Sequence, residues 1–310
     1  MKKQTAKRLP ILAAGILALP AITFAGTDAN CCKECKTVEK IKESCISGDI
    51  GLDIVSQYIS HGVVFENQGA ILQPYVNLSF KVYEGEGFLN EVTVDVGNWN
   101  SFHDRHTDAG LVNGSGDSST RSWYESDFIV GMSFTFAKNF TLSPAYTWYL
   151  SPNDAFTTAQ SLNFKLEYDD TDLLGDFALH PWFNFWWEVE NKFGSGVDEG
   201  FLYEIGIAPS HTWGNLTVTV PITLGFGSSD FYSNADGGNE TYGYFSAGVS
   251  LSYALTCVPE CLGKWSLKGS YTYYNLGDGL RDYGTALVGG DIRDSNENEH
   301  VFGGGLVVEF

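Results

Sequence analysis

From residue 48 to the last residue, apolar and polar side chains alternate with a period of two. The clearest stretch sets Leu72, Pro74, Val76, Leu78, Phe80 and Val82 against Gln73, Tyr75, Asn77, Ser79 and Lys81. A second sets Leu216, Val218, Val220, Ile222, Leu224 and Phe226 against Thr217, Thr219 and Thr223. Period two belongs to a strand with two unlike faces. It predicts 12 strands, at 48–58, 71–83, 90–99, 123–136, 141–150, 161–168, 179–190, 201–209, 216–226, 244–255, 265–274 and 301–310.

The two faces meet different surroundings. No apolar-parity position in these strands carries a charge. A soluble sandwich would show outer faces rich in Lys and Glu. Here the polar parity is mostly Thr, Ser, Gly, Asn and acids. Aromatic residues on the apolar parity crowd the strand ends: Tyr58, Phe80, Tyr124, Phe136, Trp148, Tyr168, Trp187, Phe201, Phe226, Phe245, Tyr253, Trp265 and Tyr273. An apolar band bordered by rings is the outer wall of a membrane barrel. In lipid every backbone N–H and C=O needs a partner, so a strand protein must close on itself. The expected fold class is therefore all-β: a transmembrane antiparallel up-and-down β-barrel of about 12 strands.

The connections support that topology. After odd-numbered strands they are mostly long and polar (59–70, 100–122, 151–160, 191–200, 227–243, 275–300), and after even-numbered ones mostly short. Short periplasmic turns and long external loops are the rule in such barrels, and an even strand number puts both termini in the periplasm. The terminal Phe310 resembles the signal read by the barrel-assembly machinery. Against the pattern stand Pro74, Pro144, Pro181, Pro209 and Pro221, because a proline removes a ladder donor and a closed barrel has no edge to hide it. Pro221 looks central.

Residues 1–25 form a signal peptide: Lys2, Lys3, Lys7 and Arg8 precede an apolar run that ends at Ala25-Gly26. Residues 26–47 form a cysteine-rich periplasmic leader, and 48–310 the barrel. The whole chain has a net charge of −20, and losing the signal removes four of its 18 basic residues and none of its 38 acids, which leaves −24. Such acidity excludes nucleic acid as a partner. The expected partners are outer-membrane lipid and small solutes. Aromatics at 15% and 35 Gly fit neither an acidic disordered chain nor a helical bundle.

The polar parity holds the candidate lumen-lining residues. Its acids are Asp53, Glu91, Asp95, Glu125, Asp127, Glu167, Glu188, Glu190, Glu204 and Glu309, against Lys81, Lys165 and Lys268. Three bases cannot neutralise ten acids, and rings of carboxylates favour cations. Trp182 and Trp186 share that parity on one strand, either as a sliding surface for a sugar or nucleoside or as filling for a narrow barrel. Cys31, Cys32, Cys35 and Cys45 precede the first strand, and Cys257 and Cys261 share a turn at the same end. In an oxidising compartment all six are disulfide candidates. No cofactor is expected: no His follows Cys35 to complete a haem site, and Asp291, Asp294, Asn296 and Asn298 lack the spacing and Gly of a calcium loop. No enzyme is expected either. The outward face offers Ser56, Ser126, Asn90 and Asn98 without a His, and His103, Asp104, His106 and Asp108 fall in a loop.

Gly51-Leu52, then Ser56-x-Tyr58-x-x-His61-Gly62, then Gln73-Pro74, resembles the opening of the TorF-type porins. His61 stands where that family has Arg. The resemblance implies an outer-membrane barrel with a role in passive transport and no catalytic residues. Together these features predict a porin-like, cation-preferring channel in the outer membrane of a Gram-negative bacterium. The alternatives are a plugged structural or adhesive barrel, and an outer-membrane lipid-modifying enzyme.

Overall fold

The computed structural model describes residues 45–67, 69–104, 122–192, 199–228, 230–232, 240–281 and 296–310. The segment expected to be a signal peptide, Cys31, Cys32 and Cys35 of the expected leader, and His106, Asp108, Asp291 and Asp294 lie outside the described residues. The strands are β1 (Ile46–Val55), β2 (Tyr58–Ser60), β3 (Val63–Glu66), β4 (Ile71–Glu84), β5 (Leu89–His103), β6 (Trp123–Phe136), β7 (Phe140–Leu150) and β8 (Ala159–Tyr168). There follow β9 (Trp182–Glu190), β10 (Phe201–Ile207), β11 (Ser210–Trp213), β12 (Leu216–Thr219), β13 (Ile222–Gly227), β14 (Tyr242–Ala254), β15 (Lys264–Leu276) and β16 (Asn298–Glu309). All but β2 and β3 join one antiparallel sheet that closes on itself as a 12-stranded barrel. Two of the 12 crossings are interrupted, one into β10 and β11 and the other into β12 and β13.

Closure runs through β1 and β16, paired from Asp49↔Glu309 to Val55↔Gly303. Gly48 and Phe310 then exchange two backbone hydrogen bonds, of 3.1 and 3.0 Å, so the final aromatic is zipped onto the first strand. Pairing of every strand is what an apolar environment demands, because it offers no substitute for a missing backbone partner. Exposed Ile50, Leu52, Ile54, Phe128, Val130 and Met132 form part of the outer band.

The prolines explain the interruptions. Pro209 separates β10 from β11 and Pro221 separates β12 from β13, on adjacent crossings. The pairing lapses from Ile207↔Ile222 onward, yet Val220 donates to the Pro209 carbonyl at 2.9 Å and Gly248 to the Pro221 carbonyl at 3.0 Å. At this register Pro209 faces Val220 and Pro221 faces Ala208, so the two donor-less residues sit one step apart and the ladder defect stays confined to one spot. Pro144 sits in a gap of the β6–β7 register and Pro74 in a gap of the β4–β5 register, while both stay in register with their other neighbours, Phe164 and Leu52. Pro181 lies just before β9.

Bulges change the parity at two places. One between Ser101 and Phe102 pairs Phe102 with Trp123, which leaves Trp123 outside and turns Tyr124 inward, 5% exposed and stacked 4.4 Å from His103. Tyr124 is therefore not a girdle residue. Another between Gln160 and Ser161 pairs Glu190 with Gln160, whose amide also meets the Tyr146 hydroxyl. Glu190 is exposed and departs from the lumen set, while Glu188 stays buried.

The largest departure is the first loop. Residues 59–70 are not an external polar loop: β2 and β3 form a hairpin that folds back into the barrel. Tyr58 is buried against Phe65, Trp99 and His103, with ring centroids 5.0, 5.2 and 6.3 Å away, so it too leaves the girdle. Two of the disulfide candidates are seen as thiols. Cys45 and Cys257 are free and exposed.

Candidate functional site

The lumen divides into two halves, one beside the chain ends and one at the opposite rim. The half beside the chain ends is polar, and ion pairs and hydrogen bonds link its charged groups to the wall. Lys268 on β15 reaches Asp53 on β1 at 2.8 Å and the Tyr75 hydroxyl on β4 at 3.0 Å. Asp95 on β5 accepts from Ser79 at 2.6 Å, Thr93 at 3.0 Å and Ser133 at 2.9 Å. Lys165 pairs with Glu167 at 2.8 Å and lies 5.4 Å from the Trp182 ring. Lys81 stands between Glu84 and Glu91, at 2.6 and 3.9 Å. Asp49, an inward acid absent from the predicted set, takes Asn77 Nδ2 at 3.3 Å. Small inward Ser, Thr and Gly residues leave these side chains room to span neighbouring strands.

The opposite half is filled. The hairpin turns at His61 and Gly62, whose φ values of 50° and 78° are the two positive angles of a tight hairpin turn. That tip is clamped from several sides. His61 Nδ1 lies 3.0 Å from Glu204 Oε1 on β10, and its ring is 5.0 Å from Trp186 on β9. Glu204 also accepts from Asn184 Nδ2 at 3.0 Å and from the Tyr244 hydroxyl. Tyr232 donates to the His61 carbonyl at 2.6 Å. A Cβ on Gly62 would stand 2.6 Å from Leu280 and 2.8 Å from Tyr244, so the walls leave space only for glycine.

An apolar cluster surrounds the clamp. Val63, Ile71, Leu202, Phe231, Tyr232 and Val301 are wholly buried. Trp186 is 3% exposed, with Phe231 5.4 Å and Tyr149 6.2 Å from its ring. Of the predicted lumen residues, the structure gathers Glu125, Asp127, Trp186, Glu188 and Glu204 in this half, all buried, with Glu188 accepting from the Gly200 N–H at 2.7 Å. Trp182 takes no part in the packed cluster. It lies in the other half, across the sheet from Glu167.

Several members of this site were not in the predicted set. His61, Glu66, Phe65, His103 and Tyr232 come from segments read as loops. His103 is the last residue of β5, 5% exposed, with Ser101 at 2.9 Å and Glu66 at 3.8 Å. A signal was present: Val63-Val64-Phe65 is an apolar run directly after a His-Gly pair, which is a hairpin pattern rather than a solvated loop. Of the two tryptophans paired by parity, Trp186 packs into the filled half and Trp182 stands apart from it.

Outside the lumen, Asp169, Asp170 and His180 meet in the turn before β9, with ligand atoms within 4.8 Å of one another. Their chemistry is already engaged. Asp169 accepts from the Thr171 N–H at 2.9 Å, and Asp170 from the N–H groups of His180 and Leu179 at 2.9 and 3.0 Å. Burial pushes the Asp170 carboxyl up, but the donors of His180 and Leu179 prevail and hold it below its ordinary value. The outward polar groups form separate pairs. Asn98 donates to the Ser126 hydroxyl at 3.3 Å, and His300, which precedes the predicted last strand, meets the Tyr271 hydroxyl at 2.8 Å.

No family model matches the chain, and no curated protein does. Solved structures do. An outer-membrane channel from Pseudomonas putida F1 superposes with a TM-score of 0.50 at 11% identity, covering 89% of this chain and all of that one. The NanC porin gives 0.44 at 12% identity, over 84% of this chain and 98% of the other. Outer membrane phospholipase A from Escherichia coli gives 0.41 at 14% identity, over 89% and 94%. At such identities the likeness to the Pseudomonas channel concerns the fold alone.

Proposed function

We propose that the chain is a porin-like channel of the Gram-negative outer membrane, with both termini in the periplasm, through which small solutes diffuse passively. The observation that carries this is the contrast of faces. An uncharged apolar band surrounds a closed barrel whose half beside the chain ends is lined by spanning polar and charged side chains. A polar, charged inner wall is what a water-filled path requires. The hairpin then sets the constriction, and the acids clustered there favour cations. The fold it shares with a channel and the likeness of its opening residues to the TorF-type porins agree with this reading.

A second reading, a plugged structural barrel, is favoured by the wholly buried cluster around Trp186 and Leu202. A lipid enzyme is disfavoured by the separate engagement of Ser126 and His300. Disulfides would be limited to those that leave Cys45 and Cys257 as thiols.

Planar-bilayer recording of refolded protein separates the readings. A channel conducts, with a reversal potential in a salt gradient that shows cation preference fading as salt rises. Replacing residues 58–66 by a Gly-Ser linker should raise the conductance several-fold. A silent wild type whose linker variant conducts establishes the plug. Anion selectivity in the wild type would overturn the cation preference.

A further inference from the structure

Glu125 and Asp127 stand two residues apart on the inward face of β6, where the hairpin meets the wall. Glu125 is wholly buried and Asp127 7% exposed. Both carboxylate oxygens of Glu125 and Oδ1 of Asp127 are sealed from solvent and meet no donor in hydrogen-bond geometry among the described residues. Among the described residues the ion pairs of the lumen engage other acids, namely Asp53, Glu66, Glu84, Glu91, Glu167 and Glu204. His103, the base closest in sequence to Ser101, the residue opposite Glu125, is already held by Ser101 and Glu66.

Two carboxylates in a dry, shared site repel each other and are costly to keep charged, so a proton or a bound cation must accompany them. Among the described residues, the neighbours on the adjoining strands and on the hairpin offer hydroxyl oxygen and aromatic rings. The wall's Tyr149 stands opposite Asp127 with its hydroxyl 3.1 Å from that of Ser161, and the hairpin's Tyr58 packs 5.2 Å from the ring of Trp99, the other neighbour of Asp127. Trp99 and Tyr149 are the cross-strand neighbours of Asp127, and Ser101 that of Glu125. Such an all-oxygen set suits a hard cation of the calcium type and not a soft transition metal, and two carboxylates match a double charge. Tyr58 is the one member supplied by the hairpin.

We propose that Glu125 and Asp127 seat a hard divalent cation, with the phenol oxygens of Tyr58 and Tyr149 beside it, and that this ion ties the hairpin to the barrel wall. The seat goes beyond the channel reading and holds whether or not the barrel conducts.

Terbium ion tests it, because nearby Tyr and Trp rings sensitise its luminescence. Refolded wild-type barrel in detergent should give saturable, stoichiometric emission that calcium displaces. Glu125→Gln with Asp127→Asn should abolish it, and Asp169→Asn with Asp170→Asn should leave it intact. No sensitised emission, emission surviving the Glu125/Asp127 variant, or emission lost in the Asp169/Asp170 variant would each overturn the seat; the first outcome leaves a shared proton as the compensating charge. If the Glu125/Asp127 variant fails to refold, judged by its heat-shifted gel mobility, Tyr58→Phe carries the test. It keeps both carboxylates and should weaken terbium binding about tenfold, and wild-type Tm should rise with calcium and fall with EDTA. Unchanged affinity in Tyr58→Phe together with a calcium-independent Tm would refute the proposal.

Discussion

The half of the lumen beside the chain ends and the half at the opposite rim share the same strands and the same alternation, yet they treat charge differently. Near the chain ends, Asp53, Asp95 and Glu167 each find partners on the wall itself, in Lys268, in three hydroxyls and in Lys165. At the opposite rim, Glu204 finds its partner on an inserted segment, His61 of the hairpin, and Trp186 packs against that same residue. A polar wall facing space satisfies itself strand to strand. A wall facing a plug depends on what the plug presents. The first half is therefore robust to changes in the hairpin, and the second is not.

The sharpest way to break this contrast is to remove the shared acceptor. Glu204 is 6% exposed and takes His61, Asn184 and Tyr244. Glu204→Ala leaves their polar atoms buried without it, a loss of about 3–5 kcal/mol for a broken buried pair. Urea unfolding of the refolded barrel measures the loss, and bilayer recording should show noisy openings as the tip detaches. A stability change below about 1 kcal/mol would mean that the clamp is dispensable.

A smaller effect is expected at the turn. Gly62→Val forces a branched side chain into a φ of 78° and against Leu280 and Tyr244. Strain of this kind costs about 1–3 kcal/mol. The damage should stay local: conductance noise rises, while the pairing around Lys268 keeps its hydrogen-exchange protection.

Much of this molecule was legible as sequence. The barrel, its closure at Phe310 and the inward set from Asp53 to Glu204 follow from period-two alternation, since a strand in a closed sheet has no other way to separate lipid from lumen. Parity failed only where the backbone breaks its own period. The bulges at Phe102 and Gln160 turned Tyr124 inward and Glu190 outward, and a bulge leaves no residue signature of its own. Pro221 looked anomalous in one strand and makes sense only beside Pro209 in the next, a relation that spacing within one segment does not reveal. The hairpin was the costliest miss. Its length and polar flanks match an external loop, and only the apolar run 63–65 marks it as buried.

In the wall-satisfied half, Lys268→Met tests the opposite expectation. Asp53 loses its ion pair, but both side chains stay partly exposed, Lys268 at 28% and Asp53 at 14%, and such a pair contributes about 1 kcal/mol or less. Stability should hardly change. Cation preference should rise, because one of three lumen bases is gone, and reversal potentials measure it. A loss as large as that from Glu204→Ala would erase the distinction between the halves.

The smallest effect is expected outside both halves, in the turn between β8 and β9. The Asp170 carboxylate gathers the N–H groups of Leu179 and His180, and these donors hold its folded pKa below the ordinary 3.8. Because the folded pKa is the lower one, the folded state favours the charged form. The stabilisation is complete above the unfolded pKa and is lost as pH falls through the folded value. Asp170→Asn should therefore flatten the acid limb of the stability profile below about pH 4 and leave the profile near neutrality almost unchanged. Conductance and terbium emission should not move, since the turn touches neither the hairpin nor Glu125. If acidification instead acts through the lumen acids, the acid limb will survive Asp170→Asn unaltered, and the contrast between paired and plug-dependent carboxylates becomes the quantity that pH reads.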